Sequence, residues 1–155
     1  MFAQILGNLT RQAKGLELLA SLQQEEYELL HQRNTSAIGA LEFSIHELLR
    51  QLAVERDELK SVMQGTRLAE YAGMLPEEDG AQVLDRLASI DALEQNCARQ
   101  AEKNTELSLA LLDKSHEVMN YLYEQIQPRQ HNVYGSKGNM SSVRKPGASI
   151  LSGRL

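Results

Sequence analysis

The stretch from Ile38 to Val62 constrains this chain more than any other. Ile38, Leu41, Ile45, Leu48, Leu52, Leu59 and Val62 fall in alternating steps of three and four, with Glu55 the one departure from the line. Such steps average 3.5 residues, so they hold a narrow apolar seam on one side of an α-helix. A strand would repeat every two residues and a broad globular face would spread wider. The spacing therefore demands a second helix lying along the first.

The preceding residues supply it. Leu9, Ala13, Leu16, Ala20, Gln23, Tyr27 and Leu30 follow the same alternation, and Leu18, Leu19 and Leu22 widen the face. Gly7 and Gly15 each weaken a helix by about 1 kcal/mol relative to alanine, so fraying near the start is expected. Asn34-Thr35-Ser36 forms a polar break that offers N-cap oxygens to the next helix. So short a link sends the second helix back antiparallel to the first. Helices over about 2–33 and 35–64 follow, each on the order of 45 Å long at about 1.5 Å per residue.

Between Gly65 and Gly80 the pattern degrades, punctuated by Gly73 and Pro76. Pro76-Glu77-Glu78-Asp79 reads as the acidic first turn of a short helix over 76–89 that carries Val83, Leu84 and Leu87. Asp91 with Glu94 three residues later resembles a capping box that opens a last helix over 91–127. The first half of that helix buries Leu93, Cys97, Ala101 and Asn104, with Gln100 near the same line as a candidate register-setting amide. The fold class is all-α: an elongated antiparallel helical bundle or coiled-coil-like hairpin with a third long helix. Residues 1–127 form the helical domain and 128–155 a flexible basic tail.

Charge sharpens that division. Residues 128–155 hold Arg129, Lys137, Arg144, Lys145 and Arg154 and no acid, so the remainder of the chain carries eleven basic against twenty-one acidic residues, a net −10. An acidic body argues against a nucleic-acid partner. Cys97 is the only cysteine, which excludes an internal disulfide and a Cys-based zinc site, and it reads as a plain core side chain. The first residues, MFAQILGNLTRQAK, lack a charged leader ahead of a long apolar segment, and no apolar run is long enough to span a membrane. A cytoplasmic protein without stable membrane insertion is expected.

The second half of the last helix is over-apolar. Leu107, Leu109, Leu111, Leu112, Val118, Met119, Tyr121, Leu122, Tyr123 and Ile126 spread over about 240° at about 100° per residue, whereas a surface helix needs only about 100°. Glu106, Asp113, Glu117 and Glu124 share the remaining line. Either several helices of the fold cover this surface, or a partner does. The tail is too polar to cover it well, which favours a partner helix seated on Leu107, Leu111, Leu112, Val118, Met119, Leu122 and Ile126. Met119 is an adaptable anchor. The acidic line favours a partner whose polar edges are basic.

Catalytic patterns are sparse. No phosphate-binding glycine loop, nucleophile elbow or His-Glu-x-x-His motif occurs. Glu28-Leu-Leu-His31 and Asp113-Lys-Ser-His116 resemble the paired motifs of di-iron bundles, but Asp113 is shorter than the expected glutamate and belongs to the acidic line. The reading is a non-enzymatic protein with no cofactor and no metal. A self-associating coiled-coil protein, a possible homo-oligomer, is the second reading, and a di-iron enzyme the third.

One segment carries a family resemblance. Asn132-Val133-Tyr134-Gly135-Ser136-Lys137-Gly138, just after the last helix, resembles the Tyr-Gly-x-x-Gly segment of FlgN-type flagellar export chaperones. Asn34 to Leu41 looks like that family's break between its first two helices, and Leu52-Ala53-Val54-Glu55-Arg56 like its Leu-x-x-Glu-Arg run. The resemblance implies a cytoplasmic escort for the C-terminal amphipathic helices of hook–filament junction (hook-associated) proteins. It implies delivery to the flagellar type III export gate or its ATPase complex, with Tyr134 at the position the family uses for gate contact.

Overall fold

The structure, a computed structural model, describes residues 1–126. The expected tail over 128–155, Tyr134 included, lies outside the described residues. Two compact units divide the chain, Met1–His116 and Glu117–Leu155. The elements are helices α1 (Phe2–Gln32), α2 (Thr35–Met63), α3 (Leu68–Gly73) and α4 (Glu77–Ile126), and no strand occurs among the described residues.

Local chemistry closes the hairpin. Arg33 takes a left-handed conformation with φ 56°. Its N–H then reaches the Leu30 carbonyl at 3.0 Å while that of Asn34 reaches Leu29 at 3.1 Å. Those contacts satisfy carbonyls that a helix end leaves unpaired. The Asn34 side chain accepts a hydrogen bond from the Ala37 N–H at 3.2 Å and so caps α2. Gly15 brings the two helices close: a Cβ there would stand 2.8 Å from Leu52 Cδ2.

The α2 seam is the buried face. Ile45 and Leu52 are buried, and Leu41, Leu48, Leu59 and Val62 pack half-buried against the same core. Ile5, Leu9, Ala13, Leu16 and Leu19 meet them from α1. Burying side chains of this size contributes about 1.5–3 kcal/mol each, which easily outweighs the helix cost of two glycines. The start of α1 is accordingly ordered, with Ile5 fully buried, rather than frayed.

Glu55, the departure from the seam, has a specific partner set. The Asn8 amide donates to the Glu55 carboxylate at 2.8 Å and to its backbone carbonyl at 2.9 Å. Arg11 grips both carboxylate oxygens at 2.7 Å, and Gln12 donates to the Asn8 side-chain amide oxygen at 2.6 Å. The hydrogen bond from Arg11 holds the Glu55 carboxyl below the usual glutamate range, against an opposing push from burial. Asn8 and Gln12 are buried polar residues that apolar spacing does not reveal.

Gln64 and Gly65 both take positive φ at the end of α2, turning the chain into α3. That helix is only six residues long, too short to carry a readable periodicity. Gly80 packs against its end: a Cβ at that position would stand 2.5 Å from the Ala72 carbonyl oxygen.

The expected break between 89 and 91 is absent. α4 runs unbroken through Ser89, Ile90 and Asp91 for 50 residues. No glycine or proline interrupts it there, and the buried residues Val83, Ile90, Cys97 and Asn104 recur at intervals of seven through the supposed joint. A strict seven-residue repeat is the period of a packed helical seam. Asp91 and Glu94 therefore sit inside a helix, and Glu94 pairs with Arg56 of α2.

Candidate functional site

The α4 seam is best read from its buried end. Cys97 Sγ lies 3.5 Å from the Leu16 carbonyl oxygen of α1. Asn104 donates to the Gln23 carbonyl at 2.8 Å and to the Glu26 carboxylate at 2.6 Å, and accepts from Gln100 at 2.9 Å. Both inter-helix backbone contacts span 81 residues, so α4 runs parallel to α1 at a constant offset. Burial, with a smaller push from Glu94, raises the Cys97 thiol above its ordinary range. Asn104 thus acts as an inter-helix amide, Gln100 supports it from within α4, and Ala101 is exposed rather than buried. The Gln23 amide oxygen is buried without a hydrogen-bond partner.

Asn104 is the last buried residue of α4 among those described. Past it the side chains divide by direction. Leu107 and Leu111 are half-buried and continue the line of Cys97 and Asn104. Leu109 and Leu112, on another side of the same turns, are 55% and 51% exposed. From Glu117 onward, Val118, Met119, Tyr121, Leu122, Tyr123 and Ile126 are all exposed, by 51%, 47%, 61%, 45%, 50% and 76%. Half-exposure of so many consecutive large apolar residues is unusual, since soluble proteins rarely leave contiguous apolar surface open. Glu106, Asp113, Glu117 and Glu124 are exposed as well.

The residues of the di-iron-like motifs are placed as follows. His31 stacks edge-on against Tyr27, ring centroids 4.7 Å apart. Glu28, Asp113 and His116 are exposed, and among the described residues no three His, Cys, Asp or Glu side chains gather as ligands. No helix among them is long and apolar enough to cross a membrane. A groove of about 360 Å³ between α1 and α4 is lined by Leu6, Thr10, Gln82, Asp85, Arg86 and Ser89, a mixed surface with no buried reactive group.

A helical hairpin with a third helix packed along it is an all-α bundle architecture. Comparison with known proteins makes this specific. The FlgN protein family matches residues 1–142, and the chain belongs to that family of flagellar chaperones. The match takes in Tyr134 and the segment around it. Comparison with curated proteins and with solved structures gives no match.

Proposed function

We propose that this chain escorts hook-associated, hook–filament junction subunits by covering their C-terminal amphipathic helices, and hands them to the flagellar type III export gate. The observation that carries the reading is the exposed apolar surface of the last turns of α4. Such a surface buries itself against a helix of matching spacing. Leu112, Met119, Leu122 and Ile126 are its principal anchors, with Leu107, Leu111 and Val118 lining other sides of the helix. Met119 adapts its shape to more than one client. Tyr134 serves delivery rather than capture, and the cytoplasm is the compartment in which the escort acts.

The test is co-elution of chaperone and junction subunit in size-exclusion chromatography. Leu112→Asp with Met119→Asp should abolish the complex while the helical circular dichroism stays near wild type, because both side chains already stand in water. Tyr134→Ala should leave the complex intact and impair export. Undiminished co-elution of the double variant would overturn the reading.

A further inference from the structure

The turn from α2 into α3 frames a groove of about 350 Å³. Leu59, Met63 and Leu68 give it an apolar floor, Met63 buried and the other two half-buried against the core. Arg56 and Lys60 stand exposed along its α2 side, and Gly65 lines the turn. Nothing lies within 4 Å of where a Gly65 Cβ would stand, so the mouth is open there. A recess at the small end of the ligand-binding range of about 300–1,000 Å³ takes one or two side chains, not the face of a helix.

Charge sets this groove apart. No acidic residue lines it, whereas the α1–α4 groove places Asp85 beside Arg86 and the cleft between α1 and the end of α2 places Arg11 with Glu58. Its two cations sit on a body whose net charge is −10. They are held differently. Arg56 is paired with Glu94 of α4. Lys60 faces Asp57 on its own helix at 3.7 Å, with both side chains 79% exposed. So exposed a pair is weak, and Lys60 is free to turn toward a carboxylate that enters the groove. The negative end of α2 offers little opposition, because the Lys60 and Met63 carbonyls already accept from the Gln64 and Thr66 N–H groups at 3.1 and 2.9 Å.

We infer that this groove docks a short acidic segment of a partner protein. One large apolar side chain of that segment enters between Leu59, Met63 and Leu68, and a neighbouring carboxylate meets Lys60. The site is separate from the escort surface of α4 and does not depend on it. A recess receives a protruding side chain and has nothing to insert into a bilayer, and an anionic lipid surface would repel the acidic body around the two cations. A second copy of this chain brings the same acidic body and meets the same repulsion.

Three short synthetic peptides test this: one phenylalanine flanked by glutamates, the same peptide with lysines for the glutamates, and the first with alanine for the phenylalanine. Each is titrated into the isotope-labelled full chain and followed by amide NMR. The glutamate peptide should shift the Gly65 and Leu68 amides and bind at least about tenfold tighter than the lysine peptide at low salt, a gap that narrows as salt screens exposed charges. Loss of the phenylalanine should weaken binding at least about tenfold. Lys60→Glu should weaken the glutamate peptide at least about fivefold, while Lys103→Glu, the same charge change beside Asn104, should leave it within about twofold.

Equal binding of the glutamate and lysine peptides, no binding of either, or equal effects of Lys60→Glu and Lys103→Glu would each overturn the proposal. Co-sedimentation with anionic phosphatidylserine vesicles that Lys60→Glu abolishes would assign the groove to a lipid surface, and a dimer that Lys60→Glu dissociates would assign it to a second copy; either also overturns it. Junction-subunit co-elution should be indifferent to Lys60→Glu. Its loss would make the groove part of client capture and overturn the assignment of a separate partner, while leaving the escort reading standing.

Discussion

Replacing Glu55 by alanine should cost the fold about 2–3 kcal/mol. The substitution removes the Asn8 contact at 2.8 Å and the two Arg11 contacts at 2.7 Å. A hydrogen bond to a charged group contributes about 1.5–3 kcal/mol, and the Asn8 bond is partly buried. Arg11 is more than half exposed, so its ion pair is screened and adds only about 0.2–1 kcal/mol. Asn8 keeps its bond to the residue-55 backbone carbonyl and its bond from Gln12, which prevents the larger cost of an orphaned amide. Urea denaturation followed at 222 nm measures the difference. Asn8→Ala and the double variant complete a cycle whose coupling should reach about 1 kcal/mol. Asn8→Leu with Glu55→Leu should not recover the loss, because the buried Gln12 amide is then left without its acceptor. The pH dependence has a definite sign. Glu55 titrates lower in the folded state, so its contribution is complete above the unfolded glutamate pKa of about 4.3 and is lost as pH falls through the lower folded value. A Glu55→Ala cost below about 0.5 kcal/mol, or strict additivity with Asn8→Ala, would refute the argument that this network joins α1 to α2.

Other positions give independent checks. Gly80→Ala places a methyl group 2.5 Å from the Ala72 carbonyl oxygen, and since that atom is backbone the variant should lose about 1–3 kcal/mol; an unchanged thermal midpoint would contradict the packing of α3 on α4. Asn34→Ala removes the cap on the Ala37 N–H and should lower stability in urea by about 0.5–2 kcal/mol, whereas Asn34→Ser should retain most of it. Cys97 should react with a thiol reagent many times more slowly in the folded chain than in denaturant, because burial both hides the sulfur and disfavours the thiolate. Equal rates would place residue 97 at the surface.

Which parts of this structure were legible follows from how each is encoded. The α1–α2 hairpin was readable because Ile38 to Val62 repeat one chemical property at one period, and Asn34 marks the turn with a side chain suited to capping. The break expected before Asp91 illustrates the opposite case. Asp91 and Glu94 satisfy a local capping pattern, but Ile90 and Cys97 hold tertiary places on one seam, and packing overrides a local signal. Asn8 and Gln12 escaped notice because a buried amide looks like any surface amide until its acceptor is known. The apolar excess of the last helix was plain, yet its division into a packed line through Asn104 and an exposed one through Leu109 needed burial, since periodicity alone counts all ten residues alike.

The parallel pairing of α1 with α4 has a kinetic side. Residues of α1 and α2 near the Arg33–Asn34 turn meet across only a few intervening positions, whereas Cys97 finds Leu16, and Asn104 finds Gln23, across 81. Bringing distant segments together costs chain entropy before any contact repays it. The hairpin should therefore close early and offer a ready-made template, with the first half of α4 zipping onto it afterwards. Whatever speeds hairpin closure should then speed folding as a whole, while changes at Asn104 should act mainly on the rate of coming apart.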